Sequence, residues 1–180
     1  MGKARRDRRR KEGGGLYAVA IGSNRPLSAR LAPRAIVEAA FAALDRSPLR
    51  LIARAPVIAS RPIGPSARAY ANSAAVVGTD LSPVALLDHL QGIEAAFGRR
   101  RHLRWGARTL DLDIVLWSGG AHRSRRLTIP HAAFAARDFV LGPLGAVAPR
   151  WRDPASGLSI AQLAARLTKP KPVDPAPVRR

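Results

Sequence analysis

The chain contains no cysteine. That excludes a disulfide scaffold, thiolate metal sites and a cysteine nucleophile, and it fits a reducing compartment. No apolar run approaches the roughly 20 residues that a membrane-spanning helix needs. No apolar segment follows the basic start either, so no secretory signal is expected and the cytoplasm is the expected location. Aromatic residues are scarce, at 5%, which leaves Ala, Leu, Val and Ile to build the core. Neither Gly-x-x-x-x-Gly-Lys-Ser/Thr nor Gly-x-Gly-x-x-Gly occurs. A nucleotide would have to be held by side chains rather than by a glycine-rich phosphate loop.

What is present suffices for one folded domain: 180 residues, of which 47% are hydrophobic. The net charge of +19 points to anionic partners such as nucleic acid, acidic lipid or a polyphosphate. Part of it sits at the ends. Residues 1–15 hold seven Lys and Arg against two acids and finish in three glycines; this segment reads as an unpacked basic tail, with a nucleic-acid arm as the alternative. Residues 168–180 are proline-rich and basic and read as a second unpacked tail. The domain between them, 16–167, is itself basic, and between 16 and 165 arginine alone supplies the positive charge.

Hydrophobic patterning gives the element order. Residues 16–21 form a short apolar run, expected as a buried strand. Residues 29–44 are alanine-rich and expected as an amphipathic helix, with Leu31, Ala35, Val37, Ala39 and Phe41 among its apolar positions. Strands are expected over 49–59 and 70–78, separated by a loop at 61–69 that contains two prolines and a glycine. Ser82 followed by Pro83 starts a helix that runs to about Phe97. An arginine-rich loop over 98–108 leads into a strand over 110–117, and short helices follow Pro130. Strand, helix, strand, strand, helix, strand is the ferredoxin-like α+β order. Its two helices cover one face of an antiparallel sheet, and the other face, near the loops, is left for ligands.

The strand over 110–117 is the most informative stretch. Side chains alternate across a strand, so Leu110, Leu112, Ile114 and Leu116 point one way and Asp111 and Asp113 the other. Two carboxylates held that close repel unless a cation or a proton intervenes. Magnesium accepts carboxylate oxygens and shares its shell with phosphates, so an Asp-x-Asp pair on a rigid strand is a platform for one or two such ions. The alternative is a pair of solvent-facing aspartates on an edge strand, each matched by a nearby arginine. Immediately upstream, Gly98 to Arg108 holds five arginines and Trp105. Guanidinium groups meet phosphate oxygens bidentately, and phosphoryl transfer relies on positioning and charge stabilisation. The indole offers a flat surface to a planar ring.

Together these residues resemble a family. Arg104-Trp105-Gly106-Ala107-Arg108-Thr109-Leu110-Asp111-Leu112-Asp113-Ile114-Val115 is similar to the signature of 6-hydroxymethyl-7,8-dihydropterin pyrophosphokinases. Ala20-Ile21-Gly22-Ser23-Asn24, Pro62-Ile63-Gly64-Pro65, Tyr70-x-Asn72, Gln91-x-x-Glu94 and Arg126-Leu127-Thr128-Ile129-Pro130-His131 agree in order. Ala107 and Arg61 stand where the family usually or often has proline. The resemblance implies transfer of diphosphate from ATP to a hydroxymethyl dihydropterin, leaving AMP, as a step of folate biosynthesis. It also implies two Mg²⁺ ions on Asp111 and Asp113. It places Ser60, Ile63, Tyr70, Asn72, Trp105 and Phe139 around the pterin. It places Gln91, Glu94, Arg99, Arg101, Trp105, Arg108, Ile114, Arg126, Thr128, His131 and Arg137 along ATP, with Arg99 and Arg108 stabilising charge in the transition state. Two other readings compete. A nucleic-acid-binding module suits the charge but not the acid pair, since bare carboxylates repel phosphates. A different phosphotransferase could use the same pair. The expected partners are therefore small molecules, with neither membrane nor nucleic acid, and the expected state is a monomer.

Overall fold

A computed structural model describes residues 15–28, 31–60, 70–98 and 108–169. Five strands form one antiparallel sheet: β1 (Gly15–Ser23), β2 (Arg50–Arg54), β3 (Ile58–Ser60), β4 (Tyr70–Thr79) and β5 (Asp111–Trp117). The order across the sheet is β2-β4-β1-β5, with β3 continuing beside β4. With β3 set aside, this is the 4-1-3-2 order of a ferredoxin-like βαββαβ unit, as the sequence order implies. A small hairpin, β6 (His122–Arg123) with β7 (Thr128–Ile129), follows and has no counterpart in the sequence reading. No helix among the described residues is long and apolar enough to cross a membrane.

Helix α1 (Pro33–Leu44) starts four residues later than expected. Proline disfavours helical backbone in the residue before it, and its missing N–H costs nothing in the first turn. Ala32 is accordingly extended and caps the helix. Ile36, Val37, Ala40, Phe41 and Leu44 carry the buried stripe, which displaces Ala35 and Ala39 to its margin. Helix α2 (Pro83–Ala96) begins where Ser82 accepts from the Ala85 N–H. It ends at Gly98, whose φ of 74° suits a residue without a side chain. The strand expected over 49–59 is split into β2 and β3. Ala55 still bonds to the Ala74 carbonyl, but Pro56 has no N–H to give and interrupts the ladder.

Both faces of the sheet are covered. Tyr17, Val19 and Ile21 of β1 pack with the α1 stripe and with Leu86 and Leu90 of α2. Each large side chain sealed there contributes about 1.5–3 kcal/mol. Ala18, Ala74, Val115 and Leu116 pack on the opposite side. Their partners are Phe134, then Val140, Leu141 and Leu144 of α3 (Asp138–Val147), then Ile160 and Leu163 of α4 (Ile160–Thr168). The C-terminal helices thus close part of the face that the sequence order left open. The register of β1 with β5 shifts at Ala18/Val19, whose partners are Leu116 and Ile114, and this makes Val115 an extra residue. Leu116 is therefore turned to the α3 side. The expected single row of Leu110, Leu112, Ile114 and Leu116 holds only as far as Ile114. Trp117 lands on the first face instead and stacks on Tyr17 at 5.9 Å.

At the borders, β1 begins at Gly15 and α4 ends at Thr168, one residue beyond each expected limit of the domain. Most of both tails, the loop at 61–69, and residues 99–107 lie outside the described residues.

Candidate active site

Strand register sets a row of residues side by side on the α3 face. Gly22 of β1 lies opposite Asn72 of β4 on one side and Asp111 of β5 on the other. One step further in, Ala20 lies between Ala74 and Asp113. Beyond Asn72, β3 places Ile58 opposite it and Ser60 opposite Tyr70. Alternation puts Ser60, Tyr70, Asn72, Gly22, Ala20, Asp111 and Asp113 on one face. The acid pair therefore shares a side of β5, and glycine and alanine form the floor between it and the Asn72 amide. That amide is buried, and its Nδ2 donates to Ser60 Oγ at 2.6 Å.

The pair is electrostatically loaded. Burial, and then the charge of Asp111, hold the Asp113 carboxyl above the ordinary carboxylate range. His131, Arg108 and Arg137 pull it partway back, so groups from three parts of the chain converge on Asp113. For Arg108, burial opposes the charge. Asp111 outweighs this through Coulombic attraction and a direct hydrogen bond, with Asp113 and Glu94 adding to it, and the guanidinium is held above its usual value. Arg108 Nη1 donates to Asp111 Oδ2 at 2.5 Å. The main chain of Arg108 is clamped as well: its N–H donates to Asn24 Oδ1 at 2.7 Å, and the Asn24 N–H donates back to the Arg108 carbonyl at 3.1 Å. Arg137, at the start of α3, lies 5.8 Å from the Phe139 ring centre, and half-buried Phe139 packs on the α3-side core with Ala20.

Glu94 has a defined task. Strand β5 is a sheet edge, with β1 as its only ladder partner in the described sheet. Glu94 is buried and accepts the Leu112 N–H at 2.8 Å, from between the two aspartates. Glu94→Ala is expected to leave that donor without its acceptor and to cost about 1–3 kcal/mol. Urea unfolding should show the loss, and Glu94→Gln, which keeps an acceptor oxygen, should recover most of it.

Other expected site residues are more dispersed. Gln91 is half-buried on α2, one turn before Glu94. Arg126 forms a two-pronged ion pair with Asp88 of α2, and Thr128 is exposed on β7. The Ile114 side chain is 2% exposed in the core on the face opposite the acids, so any ligand contact there has to come from its main chain. Ile63, Arg99, Arg101 and Trp105 lie outside the described residues, as do the departures at Arg61 and Ala107. Asn24 and Gly22 are site residues that the sequence reading quoted but gave no role. Their placement follows from pairing with residues some 50 to 90 positions away, and no local pattern reports that.

Comparison with known proteins gives a consistent family. The profile described as 7,8-dihydro-6-hydroxymethylpterin-pyrophosphokinase (HPPK) matches residues 18–149. Three relatives carry the name 2-amino-4-hydroxy-6-hydroxymethyldihydropteridine pyrophosphokinase. The protein from Pseudomonas aeruginosa is 45% identical over 138 residues, covering 76% of this chain and 82% of the relative. The Haemophilus influenzae protein is 41% identical over 132 residues, covering 72% and 79%. The Synechocystis protein is 46% identical over 104 residues, covering 58% of this chain and 53% of its own length.

Proposed function

Because the chain belongs to the 7,8-dihydro-6-hydroxymethylpterin-pyrophosphokinase family, we propose that its site transfers diphosphate from ATP to 6-hydroxymethyl-7,8-dihydropterin, a step of folate biosynthesis. The substrate hydroxyl oxygen attacks the β-phosphorus. The bond from that phosphorus to the α,β-bridging oxygen breaks, AMP departs, and the hydroxyl proton is released to water. The observation that carries this reading is the row from Ser60 and Asn72 across Gly22 to Asp111 and Asp113. It puts the Asn72 amide and an acid pair on one sheet face.

Magnesium fits the donor set. Asp113 is disfavoured as an anion by burial and by Asp111, and a hard cation offsets both. Among the described residues no group of three or more His, Asp and Glu gathers for a metal. Asp111 and Asp113 would hold Mg²⁺, two ions in all with ATP, and leave the other positions to phosphate oxygens and water, as that ion prefers. When bound, it neutralises charge on the triphosphate and on the departing phosphate oxygen.

The chain's own residues do the rest. Asn72 both donates and accepts, which suits the amide-like edge of a pterin, and Ser60 fixes its orientation. Tyr70, Phe139 and Trp105 supply flat walls, and Ile63 an aliphatic contact. Arg108 and Arg137, with His131, lie about the acid pair where the polyphosphate would meet them, and the family resemblance assigns Gln91, Glu94, Arg99, Arg101, Ile114, Arg126 and Thr128 to the nucleotide. Asn24 holds Arg108 in register, and Glu94 holds β5. The chain is taken to act as a monomer, in the cytoplasm where ATP is available.

The test is AMP release with Mg·ATP, measured with and without the hydroxymethyl dihydropterin. AMP is expected only with the pterin present. Release independent of it would point to another phosphotransferase and would overturn this reading.

A further inference from the structure

We infer that Gly22 acts through Asn72: the missing side chain lets the buried amide keep its aim, and so fixes where the polar edge of a planar fused ring seats between Asn72 and Asp111. This rests on the function proposed above. Glycine inside a strand costs roughly 0.5–1 kcal/mol relative to alanine, so its presence needs a reason. Backbone conformation does not supply one: Gly22 is not among the positive-φ glycines and pairs regularly with strands on both sides.

Space supplies it. A Cβ on Gly22 would stand 3.2 Å from Asn72 Oδ1 and 4.0 Å from the Asp111 Cβ. By contrast, a Cβ on Gly78 in the same sheet would meet Ile52 and Leu16 at 3.5 Å, an ordinary contact. Asn72 has little room to yield, because it is 5% exposed and its Nδ2 is tied to Ser60 Oγ at 2.6 Å. Moving Oδ1 aside would tilt the whole amide. From β4 across β1 to β5 is two strand spacings, about 10 Å. That length suits a two-ring heterocycle with a one-carbon arm, its polar edge at Asn72 and its arm at the acids.

The experiment compares the unaltered protein with Gly22→Ala, Asn72→Ala and the double variant. Each is saturated with Mg²⁺ and α,β-methylene ATP, in which the bond to be broken is blocked. The dissociation constant of 6-hydroxymethyl-dihydropterin is read by fluorescence titration, and that of the nucleotide analogue by calorimetry. Gly22→Ala is expected to weaken pterin binding about tenfold and to leave nucleotide binding within about twofold. In the Asn72→Ala background it should weaken pterin binding no further, because the group it displaces is gone. Unchanged pterin affinity in Gly22→Ala, with a loss in Asn72→Ala, overturns the inference and leaves the proposed function standing. Unchanged affinity in Asn72→Ala overturns the proposed pterin site itself. Equal losses for pterin and nucleotide, or additive losses in the double variant, mean general distortion and also overturn the inference. Should Gly22→Ala fail to fold, recovery of folding in the double variant carries the same conclusion, and no recovery overturns it.

Discussion

Asp113→Ala is expected to reduce turnover with dihydropterin and Mg·ATP by about a thousandfold or more, in a chain that remains folded. The size of the effect follows from convergence. Asp113 is the carboxylate on which Asp111, His131, Arg108 and Arg137 all act. Full activity in this variant would sink the metal assignment. A second readout is independent of turnover. The folded state holds the Asp113 proton more tightly than the unfolded chain, whose carboxyl has the ordinary value of 3.8. The contribution of this group to stability is therefore complete below that value and is lost as pH rises through the raised folded value. At neutral pH, without divalent cations, the ionised side chain opposes folding. Asp113→Asn should then melt at a higher temperature than the unaltered protein, with the difference closing as pH falls toward 4. Added Mg²⁺ should raise the midpoint of the unaltered protein more than that of the variant. A lower midpoint for Asp113→Asn at neutral pH would contradict the electrostatic account.

Arg108→Ala is expected to lower kcat about 10²–10³-fold with a smaller change in KM for ATP. Its guanidinium lies against the acid pair, while Asn24 holds its main chain through two hydrogen bonds that do not involve the side chain. The variant should thus keep the strand entry in place and lose only the charged fork. Arg108→Lys should restore a minor part, because a point charge lacks the planar bidentate geometry. Steady-state kinetics decide the matter: a loss appearing wholly in KM would make Arg108 a binding group and not a stabiliser of the transition state. The charge of Arg108 also helps to pull the Asp113 carboxyl down. The acidic limb of the pH profile should therefore move to higher pH in Arg108→Ala.

Much of this was legible before the fold was known. Pro33 and Pro83 mark helix starts through a missing N–H and a fixed φ, although the first was expected four residues too early because alanine continues the pattern upstream. The strand pair β2 and β3 was read as one element because apolar residues run through Pro56, which breaks the ladder but not the hydrophobic pattern. The bulge at Val115 left no local trace either, since either face of β5 accepts an aliphatic side chain.

The sequence by itself determined the element order, the shared face of Asp111 and Asp113, and the enrichment of arginine beside them. Each depends on backbone periodicity or on chemistry between near neighbours. Only the tertiary structure decided that Asn72 and Asp111 flank Gly22, that Asn24 clamps Arg108, and that Glu94 caps the edge of β5. Those contacts join strands and helices distant along the chain. Their register is set by packing the sheet between two helical layers, and no short window of residues encodes it.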